Sequence, residues 1–185
     1  MSLVGILGSA NAYILELSPS TAQVAVGDEF SVTVRASDVL PQGLGSYSLD
    51  LSFTEGVLGF DRVVDGFGMG STAFGLSYAL NGNVLTLTDT SFDDVPTLLA
   101  SQSPSFALFT LYFDALGVGS SSLSFSSITL ADAYGNEGSF VANGSNVTVT
   151  AVAPVPEPGT LPLLVLGGAF MLYVLRRRLA DERTG

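Results

Sequence analysis

The chain has 185 residues and a formal net charge of −11, and it contains no lysine, histidine, cysteine or tryptophan. Without His, Lys or Cys the common general bases, activated nucleophiles and soft metal ligands are missing, so only carboxylates and hydroxyls remain for chemistry and an enzyme is disfavoured. Residues 13–155 set two arginines, Arg35 and Arg62, against 14 carboxylates, a net of −12. Such a surface repels phosphate and excludes nucleic acid as a partner, while keeping a domain soluble.

The chain opens with MSLVGILGSANA, an apolar run closing on Ala10-Asn11-Ala12, a small-x-small cleavage pattern. It lacks the basic n-region and the longer apolar core of a full signal peptide. Residues 1–12 read as part of a signal sequence cut after Ala12, with a first β-strand as the alternative.

From there the hydrophobic pattern alternates with period two. FSVTVRAS sets Phe30, Val32, Val34 and Ala36 on one face, and YSLDLSF does the same with Tyr47, Leu49, Leu51 and Phe53. NVLTLTDT continues it, with either Val84 or Leu85 setting the phase. A short helical turn is expected near residues 94–100, capped by Asp93 or Asp94. FALFTLYFDA is apolar enough for a central strand, and SSLSFSSITLAD and NVTVTAV follow. Turn clusters at Asn81-Gly82-Asn83, residues 117–121 and Gly135-Asn136 separate the runs. Many short strands of this kind predict an all-β sandwich or jelly roll of about nine strands over residues 13–152.

Residues 24–66, VAVGDEFSVTVRASDV…LGSYSLDLSFTEGVLGFDRVVDG, resemble the opening half of a cohesin domain. The likeness rests on Gly27-Asp28, the Tyr47-Leu49-Leu51-Phe53 strand and Leu58-Gly59-Phe60, and SITLADAYGNE resembles the family's late strand and turn at Asp132, Gly135 and Asn136. The resemblance implies a cohesin-like sandwich related to carbohydrate-binding modules. TEGVLG departs from the family pattern by lacking an Asp-Pro before the strand, and no motif marks a dockerin-binding face.

Further candidates are diffuse. Asp93-Asp94, Asp132 to Glu137 and Asp28-Glu29 offer hard oxygen donors suited to calcium, although none has EF-hand spacing. Tyr47, Tyr78, Tyr112 and Tyr134 are candidate sugar-stacking rings, with Tyr134, in a turn, the most exposed by expectation. Asn143-Gly144-Ser145 and Asn146-Val147-Thr148 fit a glycosylation sequon, and Asn-Gly reads more simply as a turn.

The chain closes with VPEPGTLPLLVLGGAFMLYVLRRR, residues 155–178. Residues 160–175 carry no charge, and at about 1.5 Å per residue the run approaches the shortest helix that crosses a bilayer core. Pro162 falls in its first turn, where a missing N–H costs little. Arg176, Arg177 and Arg178 hold the C-terminus in the cytoplasm by the positive-inside rule, which puts residues 13–158 outside. Val155-Pro156-Glu157-Pro158, an apolar segment with Gly167 and Gly168, and then the arginine cluster resemble the PEP-CTERM sorting signal. The resemblance implies export by a Gram-negative bacterium that makes extracellular polysaccharide, and recognition and cleavage by an exosortase. The expected organisation is a partial signal peptide (1–12), the sandwich (13–152), a Pro-rich linker with the motif (153–160), a transmembrane helix with its basic cluster (161–178) and a cytoplasmic tail (179–185).

Overall fold

A computed structural model describes residues 12–153 and 167–172. The chain divides into two compact units, residues 1–152 and 153–185.

In the first unit the alternating runs become strands. In chain order these are β1 (Tyr13–Pro19), β2 (Gln23–Ala25), β3 (Glu29–Ser37), β4 (Ser46–Ser52), β5 (Leu58–Asp65), β6 (Ser77–Asn81) and β7 (Val84–Thr90). A single helical element follows, α1 (Val95–Ser101), and then β8 (Ser105–Ala115), β9 (Gly119–Ala131), β10 (Phe140–Asn143) and β11 (Ser145–Thr150). They form two sheets, β10-β1-β3-β8-β5 and β2-β11-β9-β4-β7-β6. The fold is the all-β sandwich expected, with eleven strands among the described residues rather than nine. The surplus comes from short edges: β2 and β10 have three and four residues and pair in parallel with β11 and β1. Segments that short carry no alternation to read.

The inward residues are those of the period-two pattern. Phe30, Val32, Val34 and Ala36 of β3 and Tyr47, Leu49 and Leu51 of β4 are all buried. In β7 the phase runs through Leu85 and Leu87, so Asp89 is the third inward residue of that strand and is 2% exposed. Phe113 centres an aromatic cluster, stacked on Phe30 at 5.8 Å and met edge-on by Phe53 at 5.3 Å and Phe60 at 6.0 Å. Edge-to-face rings add to the apolar burial that drives the fold. Every member of the buried cluster lies between Tyr13 and Val149.

Local chemistry fixes the connections. Asp94 is the N-cap of α1, its carboxylate accepting from Thr97 N at 3.1 Å, and a proline sits in the first turn, as capping rules require. Gln102, the C-cap, is buried and accepts from Leu44 N at 2.8 Å while donating to the carbonyls of Leu44 and Gly68 at 2.8 and 3.2 Å. One amide thus ties α1 to two loops. Gly68 must be glycine, because a Cβ there would lie 1.9 Å from the Phe106 ring. The β6–β7 hairpin closes through two residues, with Gly82 at φ 60° in the first turn position, which suits the tight turns that follow strand twist.

In the second unit, residues 167–172 are helical and exposed. No helix among the described residues is long and apolar enough to cross a membrane. The rest of the expected transmembrane segment, residues 161–166 and 173–178, lies outside the described residues.

Candidate binding surfaces and the sorting segment

Two surfaces of the sandwich differ from the acidic remainder. The first is the outer face of the larger sheet. Because Leu49, Leu51, Leu85 and Leu87 point inward, Ser48, Asp50 and Ser52 of β4 and Thr86 and Thr88 of β7 point outward. In register they meet one another and β9: Ser48 lies opposite both Thr88 and Thr129, and Ser52 lies opposite Ser124. The hydroxyls are organised. Thr86 Oγ1 donates to Asp50 Oδ1 at 2.6 Å, Ser52 and Ser124 hydroxyls are 3.1 Å apart, and Ser126 Oγ donates to the Asp50 carbonyl at 3.3 Å. A bulge in the β4–β9 pairing between Asp50 and Leu51 accommodates Ser126. The result is a hydroxyl-lined sheet with Asp50 as its carboxylate, able to exchange hydrogen bonds with a polar partner.

The second surface is aromatic and lies in the loops around β6. Phe67, Phe74 and Phe92 are 81%, 73% and 62% exposed, and Phe74 meets Phe92 edge-on at 6.2 Å. Phe67 is held at φ 56° with its N–H donating to Asp65 Oδ1 at 2.9 Å. Asp93 accepts from Ser71 N at 2.6 Å and from Ser71 Oγ at 3.0 Å, which pins residues 66–76 against the segment before α1. Gly66, Phe67, Gly68, Gly70, Ser101 and Phe106 are among the residues that line a depression of about 410 Å³. None of Phe67, Phe74 or Phe92 stood out by sequence. The available signal was the absence of any charged residue from 66 to 88 in so acidic a chain.

The candidate calcium ligands are engaged by their own loops. Asp94 caps α1 and Asp93 holds Ser71. Asp132 accepts from the N–H groups of Tyr134 and Asn136, both at 2.8 Å, and from Asn136 Nδ2 at 3.1 Å. Burial pushes the Asp132 carboxyl up, but the Asn136, Tyr134 and Gly135 bonds outweigh it and leave it below its ordinary value. Glu29 pairs with Arg62 at 2.5 and 3.1 Å, and Arg62 also meets Asp61 while stacking 3.8 Å over the Tyr112 ring. Those bonds, Glu29 first, raise the Arg62 guanidinium above its ordinary value. Among the described residues no group of three or more acids is gathered as metal ligands. Asp94 thus serves as a cap, Asp93 and Asp132 as turn locks and Glu29 as an ion-pair partner, and calcium gains no support from their geometry.

The four candidate sugar-stacking tyrosines separate. Tyr47 is buried against Phe109 at 5.9 Å, and Tyr112 is covered by Arg62. Tyr78 is 52% exposed and Tyr134, in its turn, 65%. They share no platform. Ala12 is half-buried just before β1, whereas Ala10, Val155, Pro156, Glu157, Pro158, Arg176, Arg177 and Arg178 lie outside the described residues.

Comparison with known proteins reaches both units. Residues 154–178 match the model of the PEP-CTERM protein-sorting motif. The chain carries a PEP-CTERM sorting signal. Upstream of it, the sandwich is similar to a non-cellulosomal cohesin from the archaeon Archaeoglobus fulgidus, at 20% identity and a TM-score of 0.60 over 75% of this chain and 91% of that one. It is also similar to a chain of the Coh-OlpA–Doc918 type I cohesin–dockerin complex from Clostridium thermocellum, at 15% identity and 0.63 over 76% and 100%. The seventh ScaB type I cohesin of Pseudobacteroides cellulosolvens matches at 14% and 0.62 over 80% and 97%. Identities this low establish a cohesin-like fold. No curated protein matches the chain in sequence. The match over residues 154–178 points to an exported, surface-sorted protein.

Proposed function

We propose that this chain is a precursor exported by a Gram-negative bacterium, whose C-terminal segment is recognised and cut by an exosortase-type membrane enzyme. The mature sandwich, residues 13–152, then acts at the cell surface or in the extracellular polysaccharide matrix as a structural or adhesive component. The observation that carries this reading is the PEP-CTERM match over residues 154–178. The physical roles follow from the residue types. Pro156 and Pro158 disfavour helix and keep the backbone extended around Glu157, open to an enzyme. The uncharged run 160–175 enters the bilayer and halts there, in the manner of removable C-terminal signals. Arg176, Arg177 and Arg178 hold the tail on the cytoplasmic side of the inner membrane. The described members of the buried cluster all lie upstream of residue 150, on the side of the motif that cutting would release. The test is the triple substitution of Pro156, Glu157 and Pro158 by alanine in the producing cell. Full-length protein should then accumulate in the membrane fraction, and unchanged release would contradict the assigned role of the motif.

A second reading concerns what the sandwich binds. Solved relatives include a chain of a cohesin–dockerin complex, and the hydroxyl-lined sheet is a polar surface able to hold a protein or glycan partner. Saturable binding of residues 13–152 to one glycan or protein, lost on Thr88→Arg, would support it. No binding across a glycan array and a pull-down from the cell surface would favour a purely structural role. A permanently anchored surface protein is the remaining alternative, and it predicts full-length mass in membranes.

A further inference from the structure

We infer that the β6 edge is a self-association surface, pairing antiparallel with β6 of a second copy of this chain. A sheet edge presents a row of unpaired backbone N–H and C=O groups, and proteins usually blunt such edges with charge, proline or covering segments. Among the described residues the β6 edge has none of these. Its sequence is Ser-Tyr-Ala-Leu-Asn, all five residues are exposed, and it ends the larger sheet. The edge strand β5 of the other sheet, by contrast, carries Asp61, Arg62 and Asp65.

The register says which groups are free. The hairpin pairs Asn81 with Val84, Ala79 with Thr86 and Ser77 with Thr88 across a two-residue turn, with Tyr78 opposite Leu87 and Leu80 opposite Leu85 between them. In an antiparallel pair, bonded and non-bonded positions alternate. A two-residue turn makes Asn81–Val84 a bonded pair, so Ala79 and Ser77 also bond to β7. The N–H and C=O of Tyr78 and Leu80 therefore face outward. Their side chains lie on the sheet's inner face, with Leu85 and Leu87, but at the rim of the sandwich. Tyr78 meets the Phe60 ring edge-on at 5.7 Å and is still 52% exposed, and Leu80 is 48% exposed. Two inward-facing apolar residues thus lack a layer to cover them.

A second β6 supplies both missing partners. With Ala79 on the two-fold axis, Tyr78 faces Leu80 of the other copy and the reverse, forming about four added backbone hydrogen bonds. The two larger sheets become one, and the uncovered Tyr78 and Leu80 side chains lie beside each other. The contact is isologous, so it closes as a dimer. Charge selects the occupant. A domain of net charge −12 repels its own copies, and residues 66–88 form its longest stretch without a charged side chain. Two copies meeting through β6 set no charged residue of that strand against another. Asp50, the acid of β4, is separated from the edge by β7.

The test is sedimentation equilibrium of residues 13–152, which hold every described member of the buried cluster, over a micromolar to millimolar series, with amide exchange at low and high concentration. The expected result is a monomer–dimer equilibrium in which the Tyr78 and Leu80 amides become protected as concentration rises. Ala79→Glu, which sets two carboxylates face to face on the axis, and Leu80→Pro, which removes an outward donor that β7 does not use, should each weaken the dimer at least tenfold. Both should leave the far-UV spectrum and the thermal midpoint near wild type. Val141→Glu on another uncharged edge, β10, should leave the dimer intact. A wild-type monomer throughout the series would overturn the proposal. So would association that survives Ala79→Glu, or that is lost in Val141→Glu alone.

Discussion

Tyr47 stands directly opposite Asp89 in the β4–β7 ladder, both side chains point into the core, and neither the Tyr47 hydroxyl nor Asp89 Oδ2 has a hydrogen-bond partner among the described residues. Burial, above all, pushes the Asp89 carboxyl above its ordinary value of 3.8, with Asp65 adding to the rise and the Thr90 and Gly75 backbone bonds opposing it. The Tyr47 hydroxyl is pushed up by burial first, then by Asp89 and Asp65. A raised carboxyl means that the folded state holds its proton after the unfolded state has lost one. This contribution to stability is therefore complete below 3.8 and is lost as pH rises through the folded value. Asp89→Asn keeps an acceptor for Thr90 N and removes the buried charge. It should stabilise the sandwich by about 1 kcal/mol at neutral pH, with the advantage vanishing in acid. Urea midpoints of both proteins from about pH 3 to about pH 8 measure the difference, and parallel curves would refute it.

Asp93 runs the other way. The Ser71 backbone N–H, and after it the Ser71 and Thr72 side chains, hold its carboxyl below the ordinary value against a smaller desolvation penalty. Its contribution is present at neutral pH and is lost as pH falls through the depressed folded value. Asp93→Ala should release residues 66–76, seen as faster amide exchange at Ser71 and Thr72 and earlier proteolytic nicking there. The β3–β8 amides should stay protected, and uniform loss of protection would contradict a local role.

Position in the layers, rather than residue type, decides the cost of losing a phenylalanine. Phe113→Ala empties the centre of the Phe30–Phe53–Phe60 cluster and should cost about 3–5 kcal/mol. Phe92→Ser removes a ring that is 62% exposed and should stay within about 0.5 kcal/mol. Thermal unfolding of the two variants makes the comparison.

Reversing Arg176, Arg177 and Arg178 to glutamate removes the charge bias that orients the terminal segment. Unprocessed or misoriented protein should accumulate in cell fractions. Secretion at the wild-type level would count against the topology argument.

What could be read from sequence was whatever repeats along one strand or stands in one short motif. Phe30 to Ala36 and Tyr47 to Phe53 alternate over whole strands, so their buried faces were legible. The helix cap was legible only as Asp93 or Asp94, because both precede the apolar turn, and Asp94 is the one that caps α1. The β2 and β10 strands were not legible, because three or four residues in a parallel edge carry no period. In β7 the phase stayed open between Val84 and Leu85, and that choice alone decides whether Asp89 is buried or solvated. The exposure of Tyr78 and Leu80 depends on where the opposing sheet stops, which is a property of two layers and not of either strand. The sorting signal was legible for the opposite reason: its three parts lie within residues 154–178 and depend on no fold.

The mass of the mature protein tests the central claim most directly. Intact-mass spectrometry of the secreted and cell-associated forms should show a secreted product that keeps the sandwich and ends near residue 156, with full-length chain confined to membranes. A secreted or surface form that retains residues 160–178 would contradict processing at the motif.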